Sequence, residues 1–271
     1  MNILDQIVAH KKQEVAERKE LYPIKLLEKS LYFSSPTVSL KKYLSREDKS
    51  GIIAEFKRKS PSKGMINAYA DVEETSIGYM RAGASALSVL TDSHFFGGSN
   101  EDLKTARKFN FCPILRKEFI IDEYQLYEAR SIGADAILLI AEILSEIEVG
   151  RLADLAKSLD LEVLMEVHSK EQLQKATGSV DIIGVNNRNL ETFEVDVQTS
   201  YNLLPYIPSN ILKISESGIS YPEVVCRLKE AGFDGFLIGE LFMKSSHPGK
   251  SCLKFIDELN QLVDCQPANK E

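Results

Sequence analysis

From Gly51 onward, short apolar runs alternate with longer stretches of helical patterning, and this alternation restricts the fold more than any other feature. The runs GIIAEFK, ALSVL, PILRK, AILLI, EVLME, DIIGV, LKISES and GFLIG make eight candidate strands. Their starts lie roughly 20 to 35 residues apart, close to the ~30 residues of a strand–helix–strand unit. Helical patterning fills the gaps, as in 121–132 and 222–231. Strands joined through helices run parallel. An open, doubly wound sheet is also built from such units, but no GxGxxG follows the first run and eight strands suit closure. The expected fold is α/β, a single (β/α)8 TIM barrel, and the 271 residues of the chain suit one such barrel with a modest extension.

That extension is residues 1–48. Leu4, Ile7, Val8 and Val15 recur among charges at the spacing of one helical face. A second short helix is expected over 24–31, followed by a connection at Ser34-Ser35-Pro36-Thr37. Residues 1–48 read as a helical extension packed on a 49–271 barrel, one domain overall, and lying across the barrel mouth.

Composition narrows the function classes. The chain is 44% hydrophobic and 27% charged, as usual for a globular protein, and no apolar stretch approaches the ~18 residues of a membrane span. The charged N-terminal segment lacks the layout of a secretory signal, so a cytoplasmic location is expected. Cys112, Cys226, Cys252 and Cys265 show neither CxxC spacing nor histidine partners at ligand intervals, which predicts reduced thiols and no metal. A net charge of −7 without a basic run argues against nucleic acid.

Reactive groups in such a barrel come from the C-terminal strand ends. Because side chains alternate, Glu55 and Lys57 share a face opposite Phe56, and Lys117, Glu166 and Glu216 share faces with inward-directed Leu115, Leu164 and Ile214. The sixth run leads into Gly184-Val185-Asn186-Asn187-Arg188. One mouth would then gather Glu55, Lys57, Lys117, Glu166, Asn186 and Glu216. A lone Lys or Glu at a strand end is usually a solvated residue, but several on one inner rim are costly unless they pair or have a task. Gly218 and Gly239 follow the seventh and eighth runs, in loops that in barrels often bind phosphate through backbone N–H groups and a short helix terminus. The bland alternative is two ordinary turn glycines. The predicted partner is a phosphorylated small molecule.

The segment Glu55-Phe56-Lys57-Arg58-Lys59-Ser60-Pro61-Ser62-Lys63-Gly64 resembles the signature of the indole-3-glycerol-phosphate synthase family, and SVLTDSHFFGGS, LRKEFIIDEYQ, LMEVHS, IGVNNRNLETF, SESGI and FLIGE continue it in family order. The resemblance implies a cofactor-free reaction of tryptophan biosynthesis: 1-(2-carboxyphenylamino)-1-deoxyribulose 5-phosphate closes to indole-3-glycerol phosphate with loss of carbon dioxide and water. It implies Lys117 as general acid, Glu166 as general base in the dehydration, and Lys57 as holder of the anthranilate carboxylate. Glu55, Asn186 and Glu216 would position the sugar and the charged groups. Arg188, Ser60, Ser217, Gly218, Gly239 and Glu240 would line the phosphate end, and Phe96, Phe119 and Leu190 the aromatic end. Association with other tryptophan-pathway enzymes is compatible with it.

A general acid near neutral pH calls for a lysine pKa lowered by desolvation, which neighbouring glutamates oppose, and the residues alone leave that balance open. Glu118 stands where many family members have Asp, and alternation points it away from Lys117. His94 and His168 are expected to hydrogen-bond at the rim. Competing readings are phosphoribosylanthranilate isomerase, a Schiff-base aldolase using Lys117, and a phosphate-binding barrel without activity.

Overall fold

The computed structural model describes residues 2–264, so Cys265 lies outside the described part. Eight parallel strands close into a barrel: β1 (Ile52–Phe56), β2 (Ala86–Leu90), β3 (Ile114–Lys117), β4 (Ala136–Ile140), β5 (Glu162–Val167), β6 (Ile182–Asn186), β7 (Leu212–Glu216) and β8 (Gly235–Ile238). Ile53 of β1 lies opposite Ala86 on one side and Leu237 on the other, which closes the ring. The eight expected runs are these strands.

Alternation sorts their side chains into two apolar layers. Ile52, Ala54, Phe56, Val163, Met165 and Ile183 pack outward beneath the helices. Ile53, Leu115, Leu138, Leu164, Ile214 and Leu237 fill the barrel interior. Burying each large aliphatic side chain contributes about 1.5–3 kcal/mol, so the interior is a packed core. Chemistry is left to residues one step beyond it, at the strand ends.

The helices are α1 (Ile3–Leu21), α2 (Ile24–Leu27), α3 (Leu40–Leu44), α4 (Val72–Arg81), α5 (Asn100–Phe109), α6 (Tyr124–Ser131), α7 (Glu146–Ser158), α8 (Lys170–Leu173), α9 (Gln198–Leu203), α10 (Pro222–Ala231), α11 (Glu240–Met243) and α12 (Pro248–Asp264). No helix among the described residues is long and apolar enough to cross a membrane. α10 has the expected bounds. α6 starts later than expected, because the Ile121 and Asp122 amides both donate to Gln125 Oε1 (2.8 and 3.2 Å) before the helix begins. α2 is shorter than the expected 24–31. Beyond Leu27 the chain runs through three-residue turns, and the Ser30 hydroxyl bonds the Ser131 carbonyl instead of continuing a helix.

The extension follows the barrel from top to bottom. α1 is capped reciprocally: Asn2 Oδ1 accepts from the Asp5 amide (2.8 Å) and Asp5 Oδ2 from the Asn2 amide (3.2 Å). It buries Leu4, Ile7, Lys11 and Val15 along one stripe. The chain then descends along α6, where Tyr124 Oη donates to the Arg18 and Tyr22 carbonyls and the Arg130 guanidinium to those of Tyr32 and Ser35. At the foot of the barrel, Asp135 before β4 accepts the Val38 amide (2.8 Å), and Glu162 at the start of β5 accepts Ser39 Oγ and the Lys41 amide. Leu40 and Leu44 of α3 join the inner core from below.

Candidate active site

One pocket opens at the C-terminal end of the strands, and it is lined by Glu55, Lys57, Ser60, Phe96, Lys117, Phe119, Glu166, Asn186, Arg188, Leu190, Glu216, Ser217 and Glu240. An adjoining cavity shares Glu55, Lys57, Arg188, Ser217 and Glu240 with it and adds Gly218, Gly239, Lys63 and Lys244. The structure thus brings the expected residues to one end of the barrel. Ser60 lines the main pocket, while Gly218 and Gly239 line the adjoining cavity.

The Lys117 ammonium is the hub. It lies 2.5 Å from Glu216 Oε2 and 3.0 Å from Glu166 Oε2. Asn186 Nδ2 donates to the other Glu166 oxygen (3.1 Å), and His168 Nε2 stands 3.4 Å from that oxygen while its Nδ1 contacts the Asn186 carbonyl (3.1 Å). Lys57 pairs separately with Glu55 at 2.6 Å. Two glycines make the packing possible. A side chain at Gly184 would strike the Glu216 carboxylate, and a Cβ at Gly239 would come within 2.5 Å of Glu55 Oε1. Both carboxylates therefore lie across neighbouring strands that present no side chain to them.

Burial lowers the pKa of Lys117, but Glu216, Glu166 and Glu55 more than offset it, and the ammonium is held above the ordinary lysine range. The balance left open by the sequence goes to the carboxylates. Burial likewise raises Glu166, yet Lys117, His168 and Asn186 overcome it and hold this carboxylate well below its usual range. Glu216 goes the other way: burial and the charges of Glu166 and Glu55 outweigh Lys117 and push it up to about 7. Its Oε1 has no hydrogen-bond partner among the described residues. One ammonium thus faces one firmly ionised carboxylate and one that titrates near neutrality.

A folded-state pKa above the unfolded value makes a stabilising contribution at low pH that is lost as pH rises through the folded pKa. The Tm difference between Glu216→Gln and the parent is therefore expected to move in favour of the variant from about pH 5 to about pH 8, by roughly 3 kcal/mol in stability. Thermal melts across that range check it, and a pH-independent difference sinks it.

The other half of the site is shaped by backbone. Ser217 and Gly218 both have positive φ (67° and 77°), a conformation unusual for serine, and Asn187 Nδ2 holds it by donating to the Ser217 carbonyl (3.0 Å). Arg188 spans from the Phe193 carbonyl to Glu240 Oε2 (3.2 and 3.3 Å). At the opposite wall, Phe96 and Phe119 meet with ring centroids 5.7 Å apart. Ile3, Leu4 and Ile7 of α1 complete that wall. Sequence reasoning carried the extension to the mouth and named Leu4 and Ile7 on one helical face, but it gave none of these three residues, nor Lys63 and Lys244, a place in the site. Lys63 sits inside the quoted signature, and Lys244 had no signal.

One expectation about the rim changes. His168 makes a rim hydrogen bond, but the exposed His94 ring packs at a tilt against His10 and edge-on against Phe95 (centroids 4.5 and 4.6 Å apart), and its carbonyl accepts a bond from Lys59. Glu118 points away from Lys117, as expected, and bonds Thr91 Oγ1 and the Phe119 amide. No group of three His, Cys, Asp or Glu residues suited to a metal occurs among the described residues.

Comparison with known proteins adds an independent line. Solved structures with the same architecture include tryptophan synthase alpha-subunits from Pyrococcus furiosus (TM-score 0.58, 16% identity, 79% of this chain and 99% of that one) and Legionella pneumophila (0.59, 13%, 82% and 97%), which at such identity speak for the fold alone. Full-length relatives speak for more. Indole-3-glycerol phosphate synthases from Bacteroides thetaiotaomicron and Aliarcobacter butzleri are 51% and 44% identical, over 94% and 95% of this chain and 98% and 100% of theirs. The family model described as indole-3-glycerol phosphate synthase matches residues 4–255, a span that takes in every site residue named above except Ile3. The chain belongs to the indole-3-glycerol phosphate synthase family.

Proposed function

We propose that the chain closes the pyrrole ring of indole-3-glycerol phosphate from 1-(2-carboxyphenylamino)-1-deoxyribulose 5-phosphate, releasing carbon dioxide and water, as a carbon–carbon lyase. The observation that carries this reading is the Lys117 ammonium between Glu166 and Glu216, in a pocket that has an aromatic wall and adjoins a glycine-lined cavity with four basic side chains. The substrate has the matching sequence of groups: an arene with a carboxylate, a ketose carbon, and a phosphate.

In this reading Lys57 and the aromatic wall hold the anthranilate end, and Gly218, Gly239 and Arg188 the phosphate. Clamping both ends folds the flexible substrate so that the two reacting carbons meet, which lowers the entropic part of the barrier. The ring carbon bearing the carboxylate attacks the ketose carbonyl, and Lys117 protonates the oxygen as the carbon–carbon bond forms; the lowered pKa expected of such an acid is absent, but the developing alkoxide is a stronger base than the amine and takes the proton even from an ammonium held above the ordinary lysine range. The carbon–carboxylate bond then breaks, and its electron pair restores the arene. Glu166, ionised at neutral pH, removes the proton from the carbon next to the carbinol, the electron pair forms the ring double bond, and the hydroxyl leaves as water with a proton from the Lys57 ammonium that polarises it. Free Cys112, Cys226 and Cys252 support a reducing, cytoplasmic setting.

An aldolase acting through a Schiff base requires a neutral amine. The carboxylates around Lys117 oppose that state, and borohydride trapping with a ketose phosphate is expected to leave no adduct at Lys117. The chain contains no tryptophan, so indole fluorescence reports product without background. Adding the carboxyphenylamino substrate to purified protein is expected to give a steady rise in that signal; product binding without turnover would overturn the proposal.

A further inference from the structure

Lys11 is only 1% exposed, although it belongs to the N-terminal extension and no step of the chemistry above uses it. Its ammonium lies 2.8 Å from Glu14 Oε2, 2.9 Å from Asp92 Oδ2 and 3.0 Å from Glu118 Oε1. Asp92 and Glu118 come from two different loops, after β2 and β3, and are themselves 0% and 2% exposed. Each also accepts backbone donors in its own loop. Asp92 Oδ1 takes the amides of Phe95 (2.6 Å) and Phe96 (3.0 Å), and Glu118 Oε1 takes the amide of Phe119 (2.8 Å). Phe96 and Phe119 are the aromatic pair of the pocket wall.

The chain of contacts therefore runs from one ammonium through two buried carboxylates to the backbone of both wall residues. A buried cluster of this kind is poor evidence for stability, since well-packed apolar replacements are often as stable or more so. What it supplies is a shared charge: the ammonium donates to Glu14 Oε2 and stands within ion-pair distance of Asp92 and Glu118, so both loops are drawn to one buried cation. On the same stripe of α1, Leu4 and Ile7 contact the pocket directly. The helix thus both contributes to the wall and tethers the two loops behind it.

We propose that Lys11 is a positioning residue for the arene of the substrate, holding Phe96 and Phe119 in register through Asp92 and Glu118 without touching the ligand. The proposal rests on the functional reading above for the identity of that arene, and its structural part is read without any ligand. In Lys11→Met, amide exchange at Phe95, Phe96 and Phe119 is expected to accelerate at least about ten-fold, because their acceptors lose the shared cation. The loops at 217–220 and 239–241 keep parent rates. Affinity for indole-3-glycerol phosphate, read by indole fluorescence, is expected to fall about ten-fold, while that for glycerol 3-phosphate, which lacks the arene, stays unchanged.

Equal weakening of both ligands, or unchanged exchange at the three phenylalanine amides, would overturn the proposal. Loss of wild-type turnover with the exchange pattern intact would instead overturn the functional reading. If Lys11→Met does not fold, Asp92→Asn carries the same readouts: it weakens the tether at one loop, so exchange at Phe95 and Phe96 rises while Phe119 keeps its rate, and acceleration at neither overturns the proposal.

Discussion

Replacing Lys117 with alanine is expected to lower kcat by about a thousand-fold or more while the barrel still folds. The ammonium bridges Glu166 and Glu216, and in the proposed chemistry it gives up the proton at the first bond-forming step. Its removal leaves two buried carboxylates facing each other, and such a pair takes up a proton rather than ionise twice. The variant thus loses the acid and also weakens the base. Carbon dioxide release and indole formation should fall together, since both follow the blocked step. Single-turnover measurements of both products, with circular dichroism to confirm folding, check this; a kcat within about ten-fold of the parent removes Lys117 from the chemistry.

Glu166→Gln is expected to cost about a hundred-fold or more in indole formation, with a different signature. Glutamine keeps an oxygen that can accept from Asn186 or Lys117 but no longer takes a proton. In the proposed sequence Glu166 acts after the carboxylate has left, so carbon dioxide release in a single turnover should be slowed far less than indole fluorescence. Parallel loss of both products places Glu166 at the first step instead, and near-parental indole formation removes it from the mechanism.

Much of the site was legible along the chain because a strand has a two-residue period. Once Leu115, Leu164 and Ile214 are read as inward, Lys117, Glu166 and Glu216 follow by parity, as Glu55 and Lys57 follow from the face opposite Phe56, and the inner core has those three apolar members. Of the residues expected to line a phosphate end, Arg188, Ser217, Gly218, Gly239 and Glu240 line the glycine-lined cavity, and Ser60 lines the main pocket beside it. His94 and Lys11 were not legible at all. The partners of the His94 ring include His10, from a helix more than eighty residues away in sequence, and Lys11 on a polar-looking helix gave no sign that three acids would surround it.

Local periodicity and the steric demand of parallel strands joined by helices set which elements form, which face of each strand points inward, and which ionisable groups share the barrel mouth. The charge states within that mouth and the seating of the extension came from the folded arrangement. Both depend on distances of about 3 Å between groups remote in sequence, where burial and Coulomb energy are large, opposed, and resolved only by which carboxylate ends up beside which ammonium.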